Sequence, residues 1–108
     1  MADFKDFLDT LKNELSEVAR EAGEDFKDEL IKDGKAFVKK SKEDLERWMS
    51  LAAEGRLSKE ELEYLIKGKK DLAEMEALKQ KGLAKVKIDR MRTALYNSVI
   101  NSVFKALP

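Results

Sequence analysis

An apolar pattern that returns every eleven residues constrains this chain more than any other feature. Phe4, Leu15, Phe26, Phe37 and Trp48 form one track, and Leu8, Ala19, Leu30, Ser41 and Ala52 run beside it. Local wording repeats too: Asp3-Phe4-Lys5-Asp6 returns as Asp25-Phe26-Lys27-Asp28, and Gly23 and Gly34 are also eleven apart. Eleven residues make almost three turns at about 3.67 residues per turn, close to an ideal α-helix, so positions spaced this way stay on one side of a nearly straight helix. A heptad seam would instead force a left-handed supercoil. The finer spacing of three and four through residues 4, 8, 11, 15, 18, 22, 26 and 30 is that of an amphipathic helix. A third track starts as Leu11 and Ala22 but continues as Asp33 and Asp44, and there the repeat decays.

No proline precedes Pro108. The pattern therefore predicts a first helical arm over 3–54, roughly 75 Å long at about 1.5 Å per residue. Asp3 and Asp6 lie where the helix dipole favours anions. Gly23 and Gly34 would each cost about 1 kcal/mol against alanine in a helix interior, and each marks a bend, a close contact or a break. The clearest punctuation is Glu54-Gly55-Arg56-Leu57-Ser58. Gly55 suits a left-handed helix end, and Ser58 with Glu61 three residues on is a capping-box signature. This places a turn at 55–58 and a second arm over 58–107, with Gly68 and Gly82 again permitting breaks.

The expected fold is all-α: one domain over 1–108, built as a long antiparallel helical hairpin that self-associates into a helical bundle. In such a hairpin residue i faces roughly 111 − i. That sets Phe4, Phe7, Leu8 and Leu11 against Phe104, Val103, Ile100 and Val99, and the acids of 14–29 against Lys85, Lys87, Arg90 and Arg92. Two helices bury only one seam, and small cores are marginal. The alternative is a chain folded back into a compact three- or four-helix bundle monomer.

The C-terminal segment has its own character. Thr93 to Phe104 carries no charge, although 41% of the chain is charged. Leu95, Tyr96, Val99, Ile100, Val103, Phe104 and Leu107 form an apolar stripe, opposite the neutral polar Asn97, Ser98, Asn101 and Ser102. An exposed helix in so charged a protein would carry Lys or Glu there. The stripe is therefore a candidate interface, buried on more than one side by its own chain or by a partner.

Charge is distributed unevenly beneath a net of zero. Residues 1–30 hold ten acidic and four basic side chains, whereas 67–92 hold nine basic and four acidic. Lys67, Lys69, Lys70, Lys79, Lys81, Lys85, Lys87, Arg90 and Arg92 form the candidate basic face. Its first expected role is pairing with the acidic N-terminal third. Phosphate contact with nucleic acid is weaker, because acids at 71, 74, 76 and 89 dilute the cluster and no aromatic is interleaved.

Chemistry is bounded by what is missing. The chain has no cysteine and no histidine, which removes thiolate chemistry and the commonest general base and metal ligand. Acid pairs such as Asp28/Glu29 and Glu43/Asp44 fit solvated helix faces, no calcium loop appears, and Gly68-Lys69-Lys70 lacks the spacing of a phosphate loop. A non-enzyme without cofactor, metal or small-molecule substrate is expected. No apolar run approaches the roughly 18 residues of a membrane span, and the acidic start argues against a secretory signal, so a cytoplasmic setting is expected.

The eleven-residue repeat of the first half resembles the amphipathic repeats of exchangeable apolipoproteins and some desiccation-stress proteins. That resemblance implies a lipid-surface helix. The function expected first is assembly or adaptor work through helix faces, with a further copy or another helical protein as partner. A peripheral lipid-surface protein ranks second, and a nucleic-acid-associated protein acting through 67–92 third.

Overall fold

The computed structural model describes residues 4–23 and 25–107, except the side chain of Lys70. The expected helix start at Asp3, the Lys70 side chain of the basic face and Pro108 lie outside the described residues. The described chain is all-helical. In order it comprises α1 (Phe4–Glu21), α2 (Lys27–Lys40), α3 (Lys42–Ala53), α4 (Lys59–Lys67), a 3-10 turn (Lys70–Leu72), α5 (Glu76–Lys81) and α6 (Lys85–Lys105).

The long hairpin is not what forms. The molecule measures 41 × 23 × 20 Å, far short of the arm expected over 3–54, and the compact bundle is the better description, with six helices among the described residues. The first arm breaks twice. Gly23 ends α1 with φ +66°, in the left-handed region that costs other residues strain. The turn that follows lets α2 fold back on α1, so each helix covers the other's apolar stripe. A straight 75 Å helix would leave that stripe in water. The second break is Ser41, whose N–H and Oγ both donate to the Phe37 carbonyl, at 3.0 and 2.7 Å. Such back-bonding loosens the helix and redirects it into α3.

Both apolar tracks nonetheless end up inside. Leu15, Phe26, Phe37 and Trp48 are buried, as are Ala19, Leu30, Ser41 and Ala52, while Phe4 and Leu8 are partly covered. Each helix presents the same face to one core, and the turns only redirect it. Gly34, unlike Gly23, stays within its helix. A Cβ there would stand 2.5 Å from Leu15 Cδ1 and 3.3 Å from Leu95 Cδ1, so α1, α2 and α6 converge on a residue with no side chain.

Helix α6 is the spine. It packs on α1 along one side and on α4 along another, and α2 crosses it where Phe37 and Tyr96 bring their rings to 5.9 Å. Leu95, Val99 and Val103 are fully enclosed, each such side chain contributing about 1.5–3 kcal/mol. Ser98 and Ser102, on the neutral side, are also buried, whereas Asn97 faces solvent. The Ser102 hydroxyl is the one buried side-chain polar atom without a hydrogen-bond partner among the described residues.

Part of the hairpin register persists between the segments. Asp33 meets Leu78, Glu29 meets Lys81 and Asp44 meets Lys69, each within about two positions of 111 − i. Toward the ends it slips: Glu14 pairs with Lys105 rather than facing Asn97.

Candidate functional site

The turn between α3 and α4 is built locally. The Gly55 N–H donates to the Ala52 carbonyl at 3.0 Å and the Arg56 N–H to the Leu51 carbonyl at 2.9 Å, with Gly55 at φ +73°. That is a Schellman end for α3. Ser58 Oγ then accepts from the Glu61 N–H at 3.1 Å, and the Glu61 carboxylate accepts from the Ser58 N–H at 3.0 Å. This reciprocal capping box holds the Glu61 carboxyl below its usual range, the Ser58 backbone hydrogen bond being the main cause.

The two helices leaving this turn enclose a groove of about 580 Å³, lined by Asp44, Arg47, Trp48, Tyr64, Leu65, Lys67, Gly68 and Lys69. Its size falls within the roughly 300–1,000 Å³ of ligand clefts. Trp48 and Leu65 supply apolar floor; Trp48 is 5% exposed and Leu65 half-buried. Tyr64 is 80% exposed. Leu62 and Ile66 turn the buried face of α4 inward, which leaves Tyr64 on the outer face at the groove mouth.

Asp44 closes one end. Its carboxylate accepts from Lys69 and from Arg47, each at 2.8 Å. The Lys69 hydrogen bond, reinforced by both positive charges, outweighs desolvation and holds the Asp44 carboxyl below its usual range. Lys67 pairs across one helical turn with Glu63 at 2.7 Å. Chemically the groove can take an apolar side chain on Trp48 and Leu65, stack against Tyr64, and offer cations to a carboxylate. Every carboxyl with a resolved shift, namely Asp44, Glu61, Glu63 and Glu74, is lowered, in each case first by a hydrogen bond to a neighbouring residue.

The C-terminal stripe lies elsewhere. Leu95, Tyr96, Val99, Ile100 and Val103 are buried, and Phe104 and Leu107 partly so, by the chain itself. In this fold the first five are core, and Phe104 and Leu107 at its end keep part of their surface exposed. The basic face does not form one face. Lys67 and Lys69 belong to the α3–α4 groove, Lys81 reaches Glu29 at 3.6 Å, and the Lys87 ammonium lies 5.9 Å from the Phe26 ring centroid. Arg92 bonds Asp89 and the Ala73 carbonyl, so only part of the basic segment meets the acidic N-terminal third. Lys79, Lys85 and Arg92 share a second hollow of about 390 Å³ with Leu83, Ile88 and Asp89, while Arg90 is exposed.

Sequence reasoning missed Tyr64. The available signal was an aromatic set off the Leu62–Leu65–Ile66 stripe. Among the described residues, no three His, Cys, Asp or Glu side chains gather as a metal site, and no helix is long and apolar enough to cross a membrane. No protein-family model matches the chain, and neither the curated proteins nor the solved structures give a significant match to it.

Proposed function

We propose that this chain is a non-enzymatic helical binding module of the cytoplasm, acting as an adaptor or assembly protein, with the α3–α4 groove as its contact site. The observation that carries this reading is Tyr64, 80% exposed at the mouth of a groove floored by Trp48 and Leu65. A lone exposed apolar residue needs no explanation, but an exposed aromatic beside an apolar hollow offers a partner's side chain both a ring and a floor to pack on. Trp48, Tyr64 and Arg47 are also the three residue types most enriched where binding energy concentrates in protein interfaces. The chain has neither histidine nor cysteine, the commonest proton-transfer and nucleophilic groups.

The test is selection of a random peptide library on the full chain, with Tyr64→Ala as counter-selection. Clones that bind the wild type and are lost on Tyr64→Ala support the groove. Clones indifferent to Tyr64 sink it. Sedimentation of both proteins at two concentrations identifies a second copy as the occupant, if association depends on Tyr64.

A further inference from the structure

The groove wall carries more positive than negative charge: Arg47, Lys67 and Lys69 against Asp44. Asp44 is shared between Arg47 and Lys69, so one carboxylate serves two cations and a positive charge is left over. Among the described residues Lys67 is answered only by Glu63, in a pair whose side chains are 58% and 45% exposed. Pairs this exposed hold weakly and exchange partners readily. Arg47, 64% exposed, has a planar fork with donors beyond the one aimed at Asp44.

Resting on the groove reading above, we propose that the occupant is an acidic segment of a partner protein, which places one large apolar side chain between Trp48 and Tyr64 and carboxylates on either side of it against Arg47 and Lys67. The apolar anchor fills the floor, and the flanking acids meet cations already at the rim. A basic segment would have Asp44 and Glu63 to reach, and three cations already hold those two carboxylates. A neutral segment would leave the excess positive charge unanswered.

The probes are three synthetic peptides sharing one leucine anchor, flanked at the same positions by Glu, by Gln or by Lys. They are titrated into the full chain with Trp48, its single tryptophan, as fluorescence reporter. The Glu peptide is expected to bind about tenfold tighter than the Gln peptide, and this advantage should shrink as salt rises from about 0.05 M to about 0.5 M. Arg47→Glu, with its helicity checked by circular dichroism, should reverse the order and favour the Lys peptide. Equal binding of the Glu and Gln peptides, both abolished by Tyr64→Ala, overturns the acidic preference and leaves the groove intact as a site. Binding unaffected by Tyr64→Ala, or no binding of any peptide at about 1 mM, overturns the groove reading as well. Anionic vesicles and a single-stranded oligonucleotide run alongside; a Tyr64-dependent response to either in place of the Glu peptide replaces the protein partner with that polyanion.

Discussion

Helices α4 and α5 begin in opposite ways. Helix α4 is started by its own sequence, with Ser58 and Glu61 capping each other across three residues. Helix α5 is preceded by Met75, which holds φ +57°, strained for a residue with a side chain, and has no side-chain oxygen to offer. Its cap comes from Asp33, on α2. One carboxylate oxygen accepts from the Ala77 N–H at 2.8 Å and the other from the Leu78 N–H at 3.0 Å. Asp33 is itself buried. A six-residue helix is too short to hold alone. Thus α4 owes its start to neighbours in sequence, whereas α5 exists because α2 lies under it.

The contrast can be broken most sharply at Asp33. Asp33→Ala leaves two buried N–H groups without acceptors and should cost about 3 kcal/mol in urea denaturation, since hydrogen bonds to a charged group are worth about 1.5–3 kcal/mol each. The loss should be local first: the Ala77 and Leu78 amides should exchange hydrogen faster, while α4 amides keep their protection. Equal loss of protection in both helices would mean that α5 does not depend on Asp33 in particular. One residue along, Gly34→Ala should cost about 2 kcal/mol, because the new methyl displaces Leu15 from a packed contact. Leu15→Ala should be costly by itself, but the double mutant should lose less than the two single losses summed, because the new methyl fills part of the space Leu15 leaves; strictly additive losses would count against close approach as the cause.

Ser58→Ala is expected to cost about 1 kcal/mol and to fray only the first turn of α4. The smallest effect is acidic. The folded Glu61 carboxyl is held below its ordinary 4.5, so its contribution is present above that value and fades as pH falls through the lower folded value. Wild type and Glu61→Gln should therefore differ in stability at pH 6 and converge as pH falls progressively below 4.5. A gap that stays constant over that range would remove the carboxylate from the cap.

The same contrast explains what the sequence revealed. Gly55, Ser58 and Glu61 act on each other within seven residues, so the turn at 55–58 is legible without a fold. Burial of the two tracks and of the neutral α6 segment is legible as well, because periodicity reports a helix's wet and dry sides whatever lies opposite. Gly23 and Gly34 look alike in the repeat, yet one ends a helix and the other admits a neighbour, a distinction only packing makes. Most telling is the third track. Its lapse at Asp33 and Asp44 reads as decay of the repeat, but Asp33 caps α5 and Asp44 ties Arg47 and Lys69 at the groove. The polar residues that break an apolar pattern carried the tertiary information, and their partners are 44 and 25 positions away. Tyr64 was hidden for the complementary reason: exposure is a property of the assembled surface.

The packing of α1 on α6 has a consequence in time. On a ribosome, α1 is finished at Glu21, and α6 begins to appear only at Lys85. At about 5–20 residues per second that interval lasts roughly three to thirteen seconds. During it α1 has chiefly α2 to shelter Phe7, Leu11, Leu15 and Ala19. The fold therefore closes when α6 docks, and a nascent chain stalled before α6 carries its earliest apolar face only half covered into a crowded cell. Refolding from denaturant should likewise be slower than for a bundle whose helices pack in sequence order, since the loop that α1 and α6 close is almost the whole described chain.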